Sequence, residues 1–134
     1  MEVRERQRSK RSILNTRKIG TEKEEIACSF LTQKGVKIQE RNFRCRQGEI
    51  DIIGYDGDYL VFFEVKYRKN TSKGSALEAV TYGKQQKICK VSDYYRMIHH
   101  CSFDTPIRYD VIAIEGEQIQ WIQNAFEYCN RKAW

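Results

Sequence analysis

Tyr59-Leu60-Val61-Phe62-Phe63-Glu64-Val65-Lys66-Tyr67 is aromatic and β-branched almost throughout, the composition of a central strand buried on both faces. Glu64 and Lys66 interrupt that run. A charge in such a strand must be paired, metal-bound or used in chemistry, because burying it alone is costly. Residues two apart on a strand share a face, so Glu64 and Lys66 point the same way. Just upstream, Gly48-Glu49-Ile50-Asp51-Ile52-Ile53 repeats the pattern, with Glu49 and Asp51 two apart. Asp56-Gly57-Asp58 between the two runs is a tight-turn signal. A two-residue turn at Asp56-Gly57 sets Asp51 diagonal to Glu64, whereas one at Gly57-Asp58 sets the two opposite each other. Either register predicts all four charges on one face of a hairpin.

Working outward, Gly20-Thr21 opens a helical pattern to about Lys34, with Ala27, Phe30 and Leu31 on one stripe and Gly35 as its C-cap. Val36 to Phe43 predicts a first strand, Gln47 to Tyr55 a second and Tyr59 to Arg68 a third. Asn70 to Ser75 is a polar loop. Leu77 to about Ile98 predicts a long helix with Ile88, Val91, Tyr95 and Ile98 at helical spacing, and Gly83 weakening its beginning. Ile107 to Ile114 is a fourth strand, and Gln118 to Gln123 a fifth after the Glu115-Gly116-Glu117 turn. The fold class is α/β: an αβββαβ core, with hairpins first and a helical crossover later, hence a mixed central sheet flanked by helices.

The 134 residues fit one domain with a real core. The net charge of +6 is unevenly placed: residues 1–18 hold seven Lys or Arg and two acids, +5 in all, leaving 17 basic and 16 acidic residues beyond them. Residues 1–18 are therefore expected to form a basic, mobile arm ahead of a domain spanning 19–134. No apolar run approaches the roughly 18 residues of a membrane span, and the N-terminal stretch lacks the apolar core of a signal peptide; the expected location is cytoplasmic. Five cysteines, at 28, 45, 89, 101 and 129, form no C-x-x-C pair, which argues against a disulfide framework or a structural zinc site. His99-His100-Cys101 lacks a second cluster to complete a tetrahedral site.

Two carboxylates held close together repel and call for a cation. Hard oxygen donors in small number suit Mg²⁺ or Mn²⁺, which retain waters and bind substrate phosphates. An amine beside them, Lys66, can orient a water or stabilise charge on phosphorus. The competing reading is a buried ion-pair network without chemistry. Basic groups at Arg41/Arg44/Arg46, Arg68/Lys69/Lys73 and Lys84/Lys87/Lys90 flank the acidic strands, a pattern that suits nucleic acid.

Gly48-Glu49-Ile50-Asp51-Ile52-Ile53 followed by Phe63-Glu64-Val65-Lys66-Tyr67-Arg68 resembles the YraN-like family of small bacterial proteins. Glu24-Glu25-Ile26-Ala27 after Gly20, Arg41-Asn42-Phe43-Arg44, Lys84-Gln85 and Arg108-Tyr109-Asp110-Val111 match as well, over about residues 17 to 115. The usual Val-Glu-Val-Lys is here Phe63-Glu64-Val65-Lys66, a change of packing and not of ligands. That family is assigned to the PD-(D/E)XK, restriction endonuclease-like superfamily, alongside Holliday-junction resolvases. The resemblance implies a metal-dependent endonuclease acting on DNA more readily than RNA, including branched or repair intermediates. It makes Asp51 and Glu64 metal ligands, Lys66 the motif lysine, and Glu24 a further catalytic acid. Thr21-x-x-Glu24 also has the form of a helix capping box, which leaves Glu24 two readings. Glu49, Lys84 and Gln85 support the site in this scheme, and Arg41, Arg44, Arg46, Arg68 and Lys69 hold the nucleic acid. A homodimer would supply two sites for two strands. The alternative is a non-catalytic nucleic-acid-binding module on the same fold.

Overall fold

The computed structural model describes residues 20–68 and 80–129. The basic arm, Lys69 and the expected helix start at Leu77 lie outside the described residues. Helix α1 occupies residues 20–33. It ends where predicted: Gly35 takes φ 92°, Gly35 N–H donates to Thr32 O and Val36 N–H to Leu31 O, each at 3.0 Å. Those two bonds are the Schellman closure, and the positive φ is why glycine sits there. Because residue 20 is already helical, Thr21 is not the N-cap, and the capping-box reading of Glu24 falls.

Five strands follow in the order β1 Lys37–Cys45, β2 Gly48–Asp56, β3 Tyr59–Arg68, β4 Ile107–Glu115 and β5 Gln118–Phe126, with α2 (Tyr82–Ile98) between β3 and β4. They form one sheet ordered β1-β2-β3-β4-β5. The β3–β4 pair is parallel and the other three are antiparallel, as a helical crossover between two hairpin regions requires. Among the described residues the fold is thus α/β, with a five-stranded mixed sheet and two helices. β3, Tyr59–Arg68, is its middle strand, and Leu60 through Glu64 are all buried.

The two faces of the sheet carry separate cores. Ala27, Leu31 and Val36 pack on Ile52, Val61, Phe63, Ile112 and Ile114 on the α1 face. Ile88, Val91 and Tyr95 of α2 pack on Phe43, Ile50, Ile53, Leu60, Phe62 and Tyr109 on the other. Ile98, expected on the same helical stripe, is exposed at the end of the helix. Helix α2 starts after Thr81, whose Oγ1 accepts from the Lys84 N–H at 3.2 Å. β5 extends to Phe126, three residues past the predicted end, through an irregularity opposite Tyr109 and Val111.

Candidate functional site

The β2–β3 hairpin turns at Gly57-Asp58, with Asp56 paired to Tyr59 and Gly57 at φ 59°, a backbone setting glycine adopts without penalty. This is the second of the two predicted registers, and it sets Asp51 opposite Glu64. The ladder itself stops one step earlier, at Ile52–Phe63. Beyond that step the strands fork, and the Asp51 carboxylate fills the gap by accepting the Val65 N–H at 2.8 Å.

The four charges do not share one face. Glu64 and Lys66 follow Phe62 onto the α2 side, whereas Glu49 turns toward α1. There Glu24, Glu49 and Asp51 bring one carboxylate oxygen each within 4.8 Å of one another. Gly20, Thr21, Asn42 and Arg44 complete a polar cleft of about 580 Å³ around those acids. Asp51 stands between the two sets. Burial first, and the Glu64 charge next, push its carboxyl up to about 7, with Glu24 and Glu49 adding to the rise and the Val65 N–H opposing it.

Glu64 is buried at 5% exposure and is held by two ammonium groups. Lys84, from the first turn of α2, lies against Oε1, and Lys66 Nζ is 3.6 Å from the same oxygen. Both ion pairs thus engage one of the two Glu64 oxygens. Burial, and then the neighbouring Lys84, lower the proton affinity of Lys66. For Lys84 burial works the same way, but contact with Glu64 outweighs it and the net direction is upward. Lys84 is the firmer counter-ion and Lys66 the amine closer to giving up its proton.

The remaining predicted residues fall around this centre. Arg44 Nε lies 3.4 Å from Glu49 Oε2 with most of its side chain in solvent. Arg46 and Lys87 line an open groove beside Arg44 and Glu49. Arg41 lies beside Cys28 of α1. Arg68 is half-buried at the end of β3, in register with Glu115. Gln85 turns back to its own helix end, its Nε2 donating to Val80 O at 3.1 Å. His99 stacks on Tyr95 and faces Glu40. Among the described residues the acid group at Glu24, Glu49 and Asp51 is the one set of three with oxygens, nitrogens or sulfurs close enough for a shared cation.

One feature escaped the sequence reading: Asn42, in the cleft wall, has φ 53°, and its residue type is the one local sign of it. Away from the cleft, Asp110 pairs with Arg108 in a closed polar cluster. Asp110 is fully buried and takes Arg108 Nε and Nη2, Trp121 Nε1 at 2.8 Å and Asn124 N–H at 2.9 Å. Arg108 also donates to Asp56 at 2.8 Å. These groups satisfy one another, so the cluster is structural.

Taken together, fold and site define a small α/β protein with a forked central hairpin whose acids gather at the fork. The chain belongs to the family described as Uncharacterised protein family UPF0102, whose model matches residues 23–114; this is the YraN-like family that the motifs resemble. A UPF0102 protein of Lachnoclostridium phytofermentans is 43% identical over 114 residues, covering 85% of this chain and 97% of the relative. A UPF0102 protein of Legionella pneumophila strain Corby is 40% identical over 114 residues, covering 84% and 97%. One of Stutzerimonas stutzeri is 41% identical over 112 residues, covering 81% and 93%. Among the described residues no helix is long and apolar enough to cross a membrane.

Proposed function

We propose that the protein is a divalent-metal-dependent endonuclease of the restriction endonuclease-like, PD-(D/E)XK kind, hydrolysing phosphodiester bonds in DNA in preference to RNA. The observation that carries this reading is the position of Asp51. Its carboxylate lies at the fork of β2 and β3, with Glu24 and Glu49 on one side and the Glu64–Lys66 pair on the other. The donors fit Mg²⁺ or Mn²⁺: they are hard carboxylate oxygens, and their mutual repulsion in a half-buried cleft is what a cation relieves. Asp51 and Glu64 would hold the ion, with Glu24 assisting and Glu49 supporting. Such an ion polarises a phosphoryl oxygen and makes a bound water more acidic.

The chain's own residues supply the rest. Lys66, its proton affinity lowered, can in its neutral form accept a hydrogen bond from the attacking water and take its proton. Lys84 offers its ammonium to a non-bridging phosphate oxygen as negative charge grows there. Arg44 and Arg46, exposed beside the cleft, together with Arg41, Arg68 and Lys69, hold the sugar-phosphate backbone by releasing its counterions. Two copies related by a twofold axis would address both strands.

One observation favours the non-catalytic alternative: Glu64 is already neutralised by Lys66 and Lys84. Cleavage assays separate the two. With Mg²⁺ or Mn²⁺, duplex, single-stranded, flap and branched DNA and RNA are offered in turn. The nuclease reading expects cleavage of DNA that falls by about 10²–10³ in Asp51→Asn and in Lys66→Met. Absence of cleavage from every substrate, with salt-dependent binding that survives Glu64→Ala, would leave a binding module.

A further inference from the structure

Phe43 on β1 and Ile50 on β2 are paired and both pack in the α2-side core. Arg41 and Ile52, the pair two residues away, should share that side if the strands alternate regularly. They do not. Ile52 packs with Ala27 and Leu31 in the α1-side core, and Arg41 lies beside Cys28 of α1. Both strands therefore roll over between these two pairs. The residues at the roll are Asn42 and, opposite it by register, Asp51.

Asn42 has φ 53°. A single left-handed residue swings the chain around, and asparagine is the non-glycine residue that enters that region most readily. The consequence falls on its partner. Asp51 leaves the in-and-out alternation of β2. Its carboxylate lies along the fork, where it accepts the Val65 N–H of β3 at 2.8 Å and approaches Glu24 and Glu49. Asn42 itself lines the same cleft.

We infer that Asn42 is the positioning residue for Asp51: its left-handed backbone turns the β1–β2 ladder over and delivers the Asp51 carboxylate into the β2–β3 fork. The link to catalysis rests on the nuclease reading, whereas the positional claim stands without it. A glycine at 42 adopts the same backbone freely. A valine, β-branched, resists it.

The test compares full-length wild type, Asn42→Gly and Asn42→Val by NMR hydrogen exchange at the Val65 amide, whose acceptor is Asp51, and by Mn²⁺ calorimetry. Asn42→Gly is expected to protect the Val65 amide as wild type does. Asn42→Val should lower that protection by at least about tenfold, a size set by backbone strain at one residue, while amides of the β4–β5 pair keep theirs. Mn²⁺ affinity should follow the same order, and in an Asp51→Asn background the residue-42 substitutions should leave it unchanged. Unchanged Val65 protection in folded Asn42→Val, or equal losses in Asn42→Gly and Asn42→Val, overturns the assignment. If Asn42→Val does not fold, Asn42→Ala takes its place in the same comparison with the same criteria. If wild type binds no Mn²⁺, the nuclease reading fails, and Val65 exchange still decides the role of Asn42.

Discussion

Asp51→Asn is expected to make the protein more stable at pH 8 by about 2–4 kcal/mol, and to change its stability little at pH 4. The sign follows from where the proton sits. In the folded chain burial, then the Glu64 charge, hold the Asp51 carboxyl protonated up to about 7, against an ordinary value of 3.8. Between those two pH values the native state binds the extra proton and the unfolded state does not. Stability from this group is therefore full below 3.8 and is lost as pH rises toward 7. Asparagine carries no titrating proton and its carbonyl still accepts from Val65 N–H, so it removes the pH slope while keeping the hydrogen bond. Urea denaturation of both proteins at pH 4, 6 and 8 in chelator measures the difference directly. A variant less stable than wild type at pH 8 would show that the carboxylate is well compensated in the fork, and the argument for a cation would lose its physical basis. A stabilising loss of a charged side chain is what a site kept for chemistry and not for folding should give.

Asp110→Ala is expected to act in the opposite direction, costing about 3–5 kcal/mol, the scale for breaking a buried ion pair by removing one partner. Asp110 has no exposed surface. Its loss leaves the Arg108 guanidinium, whose side chain is 13% exposed, with Asp56 as its remaining acid, and strips Trp121 Nε1 and the Asn124 N–H of their acceptor. Asn124, at φ 52°, sits in the irregular stretch of β5 opposite Tyr109 and Val111. Asp110 thus caps a donor that the strand ladder leaves out, and ties β4 to β5 and, through Arg108 and Asp56, to the β2–β3 turn. Since a domain of this kind is stable by only about 5–15 kcal/mol, the substitution should remove much of that margin. Thermal or denaturant unfolding is the readout; a cost below about 1 kcal/mol would mean that the cluster is solvated and not sealed.

The contrast between these residues bears on what was legible in the sequence. β3 could be bounded at both ends because apolar composition, the Asp56-Gly57-Asp58 turn and Arg68 agree with one another. The end of α1 was equally legible, since Leu31, Gly35 and Val36 are the residues a Schellman closure uses. The beginning of α2 was not, because Thr81 caps it while residue 84, where a capping box would place an acid, is a lysine. That lysine is turned to Glu64 instead, a contact between distant residues that no local pattern encodes. The period-two rule set Glu49 with Asp51 and Glu64 with Lys66, and it held for Glu64 and Lys66, which meet on the α2 side. It failed for Asp51, because one left-handed asparagine on the neighbouring strand resets the alternation. Glu24 needed the helix boundary to be seen: once Thr21 lies inside α1, its capping role is gone and its place beside Asp51 remains.

The most direct test is calorimetric titration of wild type and Asp51→Asn with Mn²⁺ at pH 6.5, repeated in two buffers of different ionisation enthalpy. Wild type should bind the ion and release protons as it does so, because Asp51 still holds its proton over much of that range. Asp51→Asn should bind at least about tenfold more weakly and release none of that share. Equal affinity and equal proton release in the two proteins, or no binding by either, would contradict a divalent-cation centre built on the acids of the β2–β3 fork.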